Sequence, residues 1–170
     1  NVYAVVPQAD GKLIVGANQG IALKRLNADG SNDATFITDI SSVSIIHDVI
    51  RLSSGEFILS GGTITTNGGT IGVRNIVKVA ANGVAIGAWG NPTVNGIIRR
   101  VIEQPDGKII IAGEFTQINS TLRGRIARLN ADGTLDTTFN PPGGANGIVA
   151  DIALQPDLKR YLVSVIVASE

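Results

Sequence analysis

The chain of 170 residues has no cysteine, which excludes disulfides and thiolate metal sites and leaves the redox compartment unread. It has a single histidine, His47, so a histidine-metal cluster is impossible and any Ser-His-Asp triad must use that one residue. Net charge is absent: 14 basic residues balance 14 acidic ones. No basic run is interleaved with aromatics, which argues against nucleic acid and against an anionic membrane surface. No stretch of 18 uninterrupted apolar residues exists, so no membrane-spanning helix is expected. Methionine is absent as well, and no secretory leader is legible. Glycine, at 21 residues, is abundant, and Val and Ile dominate the apolar set. That combination points to short strands joined by tight turns.

The chain repeats itself. A turn before an apolar run occurs as "ADGKLIVGA" from Ala9, "SSGEFILSG" from Ser53 and "PDGKIIIAG" from Pro105, with a divergent fourth version, "PDLKRYLVS", from Pro156. The turn glycines Gly11, Gly55 and Gly107, followed by Leu158 at the fourth place, are spaced by 44, 52 and 51 residues. A second marker runs out of phase: "NADG" from Asn27, "AANG" from Ala80 and "NADG" from Asn130. Its glycines, Gly30, Gly83 and Gly133, are each followed six residues later by an aromatic: Phe36, Trp89 and Phe139. Fixed periods of this length mark repeat architectures.

The third unit predicts strands over 99–104, 108–115, 125–130 and 134–139, separated by tight turns at Gly107 and Gly133 and by the polar loop 116–124. Four short antiparallel strands in about 51 residues, repeated, are the signature of a β-propeller blade. The expected fold is all-β: a partial ring of three four-stranded blades and half of a fourth. The units fall at approximately 2–46, 47–98, 99–149 and 150–170, within one propeller segment at 1–170. The apolar stretch Tyr161 to Ser169 would then leave an edge that invites pairing, so the chain is expected to be a segment of a longer propeller or to require a partner that completes the sheet.

The phrases "EQPDGKIIIAGEFT" and "RGRIARLNADGTLDTTFNPPGGANG" resemble the delta-60 repeat, a β-propeller repeat of bacterial proteins. The third unit is near the repeat's consensus. The first lacks a loop, the second replaces "QPDGK" with "LSSGE", and the fourth departs after "ALQPD". The resemblance implies a propeller of about seven blades on large, often extracellular or cell-surface bacterial proteins. It implies no catalytic residue, because the repeat motif carries none.

Several residues invite a functional reading. In both strong copies oxygen-bearing side chains alternate, as in Asn130, Asp132, Thr134 and Asp136, which is the spacing calcium loops use. The glycine is misplaced for a calcium loop, however, and the middle copy loses most of the donors while keeping the turn. Gly11, Gly30, Gly55, Gly83, Gly107 and Gly133 therefore read as turn residues, with calcium at Asn130, Asp132 and Asp136 as the weaker alternative and no metal or cofactor expected. Phe36, Trp89 and Phe139 share one repeat position and read as packing between blades. His47 opens strand one of the second unit, where the other units carry Tyr3, Arg99 and Ala150. In a propeller that strand lines the central channel, which makes His47, Arg99 and Arg100 candidate ligand-binding residues. Nothing selects a catalytic residue or a pair of carboxylates.

The expected function is that of a non-catalytic binding or scaffolding module in a larger cell-surface, secreted or phage-like protein. Protein or glycan partners would be held by the variable loops 63–75 and 116–124. The alternative is a lyase or glycosidase with acidic residues at the channel mouth.

Overall fold

A computed structural model describes residues 2–17, 23–66, 73–142, 144–155 and 161–166, with residue 73 and residues 161–166 described for their backbone alone. The described residues contain strands and turns and no helix. The first sheet holds β1 (Val2–Pro7), β2 (Leu13–Ala17) and β3 (Leu23–Leu26) in that order. The second holds β4 (Ile40–Val43), β5 (Ile46–Arg51), β6 (Phe57–Thr66) and β7 (Val73–Val79). Both β4 and β5 pair along β6, at its far and near halves, and β7 also pairs with β6. The third holds β8 (Ile98–Glu103), β9 (Ile109–Gly113) and β12 (Ile126–Leu129), beside a small hairpin of β10 (Gln117–Ile118) and β11 (Thr121–Leu122). The last pairs β13 (Ile148–Leu154) with β14 (Tyr161–Ile166). Every pairing is antiparallel. The fold is of β-propeller type, with the strands β1, β5, β8 and β13 packed in succession as the inner strands of consecutive blades.

Both faces of each middle strand are buried, which is why they read as continuous apolar runs rather than alternating ones. Along β9, Ile109 and Ile111 join Ile58, Ile76 and Leu52 of the preceding blade. Ile110 and Ala112 turn the other way, onto Val149 and Ile152 of the next. In β6, Phe57 and Leu59 pack with Ile14 and Leu23 of the first blade, while Ile58 faces the third. Each fully buried Ile or Phe contributes roughly 1.5–3 kcal/mol. The blades are thus held mainly by apolar layers between them, with a few backbone bonds across, such as Gly90 N–H to the Asp132 carbonyl at 2.7 Å.

The expected fourth strand is shorter than its sequence suggests. Only single bridges form, Leu26 to Asn32, Val79 to Ala85 and Leu129 to Leu135. In the third unit, Asp136 N–H donates to the Arg128 carbonyl at 2.9 Å. The chain then turns away, and Asp136 Oδ1 fastens the turn by accepting from both Thr138 N–H (3.0 Å) and Thr138 Oγ1 (2.6 Å). Such local side-chain bonds compete with the ladder. The loop 116–124, expected to be irregular, contains the β10–β11 hairpin.

Candidate functional site at the loop-bearing end of the inner strands

Two ends of each blade differ. At one end lie the tight turns, where Gly11, Gly30, Gly55, Gly83, Gly107 and Gly133 all adopt φ between 79° and 100°. The turns at Gly83 and Gly133 are fastened between blades. Trp89 Nε1 donates to the Ala131 carbonyl at 3.1 Å, and a Cβ on Gly133 would lie 2.7 Å from Trp89 Cε2. Phe36 stands in the same relation to Gly83 of the second unit. Phe139, half-buried, packs beside the cluster of Ile110, Val149 and Ile152, and the Arg128 guanidinium stacks 4.9 Å over its ring. Repetition at this end serves assembly.

Asp136 does not join Asn130 and Asp132 in a cation site. Its Oδ2 accepts from Lys108 Nζ and Arg128 Nε, each at 2.8 Å. Asp132 accepts from Thr134, and Asn130 Nδ2 donates to Thr134 Oγ1 at 3.0 Å, so the donor set is spent on the turn. No group of three or more His, Asp or Glu side chains suited to a metal occurs among the described residues.

At the opposite end emerge the connections after β6 and β9, and here the inner strands are irregular. The β1, β5, β8 and β13 ladders each slip by one residue, between Val2 and Ala4, Ile46 and Asp48, Ile98 and Arg100, and Val149 and Asp151. The skipped residues are Tyr3, His47, Arg99 and Ala150. A bulge leaves one residue unpaired and re-aims its side chain. Glycine across the ladder permits it: a Cβ on Gly61 would lie 2.1 Å from the Ile45 carbonyl oxygen, and one on Gly113 2.2 Å from that of Ile97.

These bulges bring a small polar constellation together. The Tyr3 and His47 rings meet edge-on with centroids 6.4 Å apart. Arg99 Nε donates to Glu114 Oε1 at 2.9 Å, and Arg100 Nε donates to Asp151 Oδ1 at 2.8 Å across to β13. Asp48 Oδ2 accepts from Val101 N–H at 2.9 Å, tying β5 to β8. Partial burial, and then the positive charge of Arg99, holds the His47 pKa below its ordinary value despite the opposing pull of Glu114. His47 is therefore a neutral imidazole at neutral pH. Burial pushes the Asp48 carboxyl up, against the Val101 N–H that favours its charged form. A neutral base, two arginines and three carboxylates gathered on and beside adjacent inner strands can accept a proton, stabilise developing negative charge and return a proton.

The structure thus places His47 and Arg99 side by side at bulges and Arg100 one residue further along β8. Sequence reasoning missed Glu114 and Asp48. The available signal was departure from the repeat: Glu114 stands where the other units carry Asn18 and Gly62, and Asp48 where they carry Ala4, Arg100 and Asp151.

Residues 8–36 and 104–139 match a family described as a domain of unknown function, DUF5122, of β-propeller type. This partial match supports a bacterial β-propeller repeat. No curated protein matches the chain. Among solved structures, the chain is similar to selenomethionine-substituted virginiamycin B lyase from Staphylococcus aureus, at 16% identity and a TM-score of 0.57, covering 92% of this chain and 46% of that one. A streptogramin B lyase is 20% identical, with a TM-score of 0.53 and coverage of 92% and 45%. A catalytically inactive histidine-to-alanine variant of the Staphylococcus aureus enzyme, solved with quinupristin, is 18% identical, with a TM-score of 0.52 and coverage of 92% and 46%. The chain spans about half the length of these structures, and identities this low establish the shared fold. Because these three propellers are lyases, the shared fold gives no ground for the expectation that the chain is no enzyme, and that expectation is withdrawn. A repeat motif without catalytic residues does not make a propeller inert, because chemistry can sit on the bulges and loop ends that the motif leaves free.

Proposed function

We propose that the chain forms an arc of a propeller lyase built from delta-60-type blades, with His47 as the proton acceptor at the channel mouth. The observation that carries this reading is the bulged register of β5 and β8, which sets a neutral imidazole beside the Arg99–Glu114 pair. The likeness to lyases, one of them inactivated by loss of a histidine, supports it.

The step such a site would perform is an elimination. His47 takes a proton from a carbon next to a carbonyl. The electron pair left behind forms a carbon–carbon double bond as the neighbouring carbon–oxygen bond breaks, and the leaving oxygen takes up a proton. Arg99 or Arg100 would stabilise the negative charge that builds on the carbonyl oxygen, a kind of assistance worth roughly 10²–10³ in rate. A base whose pKa lies near or below neutrality is available in its working form at pH 7.

The test is turnover of quinupristin by the protein in water enriched in oxygen-18. Elimination introduces no oxygen from water into the products, and His47→Ala should lower the rate by roughly 10²–10⁴. Incorporation of the label, or full activity in His47→Ala, would overturn the reading.

A further inference from the structure

A second feature at the loop-bearing end lies outside the His47 constellation. A pocket of about 310 Å³ opens between the β10–β11 hairpin and the segment after Phe139, lined by Thr116, Leu122, Arg123, Asn140 and Pro141 among others. Arg123 is only 6% exposed. Its guanidinium donates through one terminal nitrogen to the Leu122 carbonyl at 2.7 Å, while its buried Nε has no hydrogen-bond partner. No carboxylate among the described residues pairs with it.

A buried cation without a counter-charge is costly. The planar fork of arginine pairs with the oxygens of carboxylates and phosphates. The rest of the lining suits a compact polar molecule with one apolar face: the Thr116 hydroxyl and Asn140 amide offer hydrogen bonds, and Leu122, 71% exposed, and Pro141 offer apolar surface. The volume falls at the lower end of small-ligand sites.

We infer that this pocket binds the carboxylate of a small acidic ligand, of the size of one sugar-acid unit, with Arg123 as its anchor. The inference is independent of the lyase reading, since it shares no residue with the His47 constellation.

The experiment is an NMR titration of the 170-residue chain with sodium glucuronate, read on the Arg123 Nε–H signal, with glucose as the uncharged control. A saturable shift is expected, with binding about tenfold or more tighter for glucuronate than for glucose, as a charge-assisted hydrogen bond implies. Arg123→Gln should remove the difference. Should that variant fail to fold, the wild-type Nε signal decides alone. An Nε signal that does not respond, or responds equally to glucose, overturns the inference. So does an Nε signal that moves when Asp157 or Glu170 is replaced by its amide, because the counter-charge would then be supplied from within the chain.

Discussion

Asp33 and Asp136 show what the repeated phrase is for. Asp33 Oδ2 accepts from Lys12 Nζ and Arg25 Nε, each at 2.7 Å, and its other oxygen closes a turn on Thr35. Asp136 does the same with Lys108, Arg128 and Thr138. One carboxylate thereby joins the start of the middle strand, the third strand and the turn after it. The second unit has Ile86 at the aspartate's place, and Glu56 replaces the lysine. Lys78, at the arginine's place, then pairs directly with Glu56 at 2.6 Å. The substitutions are coupled: losing the anion is compensated by reversing one cation. Asp136→Asn should cost roughly 1–3 kcal/mol, as for loss of a hydrogen bond to a charged group, visible as a lower urea midpoint. In the second unit, Ile86→Asp should destabilise, and adding Glu56→Lys should recover part of the loss. A double-mutant cycle with no favourable coupling would refute the coupled-substitution account. His47 offers a separate check. Arg99→Gln should raise its NMR-titrated pKa towards the ordinary value of about 6.5, and Glu114→Gln should lower it further.

At the scale of the element, the inner strands carry the bulges with His47 and Arg99, and the outer segments carry the repeated phrase. Gly113 is the hinge of this division, because the bulged backbone before Arg99 passes where its Cβ would be. Gly113→Ala must push Ile97 and Arg99 away. The expected result is a melting temperature lower by several degrees together with a displaced His47 signal, whereas Gly30→Ala, in open space at φ 84°, should lower stability without moving His47. Strand positions and turns were legible because apolar runs such as 109–112 and Asx-Gly pairs obey local rules. The fourth strand was over-read because Thr134 to Phe139 looks extended, whereas a backbone turn from residue 136 to 139, which the second unit also makes from Ile86 to Trp89, bends it off the ladder. The bulges left no local trace: a one-residue slip at His47 or Arg99 depends on glycines some fifteen residues away in sequence. The correspondence of Tyr3, His47, Arg99 and Ala150 was readable from the period. The ion pair of Arg99 with Glu114 and the burial of Arg123 were not, since both depend on how loops fold over neighbouring strands.

For the whole molecule, acid is the most informative perturbation, because the ionisable groups pull in different directions. Lys12 and Lys108, foremost, hold the Asp33 and Asp136 carboxyls well below the usual carboxylate range. Hydrogen bonds from Ser31 and Thr134 lower Asp29 and Asp132, and Lys78 lowers Glu56. A group whose pKa is lower in the folded state contributes stability that is complete above its unfolded value and is lost as pH falls towards the folded one. For these five carboxylates the loss begins near pH 4, the ordinary range of Asp and Glu. His47, also lowered, contributes fully above about 6.5 and loses its contribution as the pH drops below that. Asp48, raised by burial, acts in the opposite sense and relieves the folded state as it protonates. The folding free energy should therefore be level from pH 8 to 7 and decline slightly below 6.5. Below about pH 4 it should fall steeply, because the lowered carboxylates outnumber the single raised one. Urea unfolding across this range checks the shape. Replacing both Asp33 and Asp136 by asparagine should flatten the acid limb while lowering the neutral plateau. A protein that gained stability below pH 4, or a double variant with an unchanged acid limb, would show that the two aspartate clamps do not stabilise the blades they sit in.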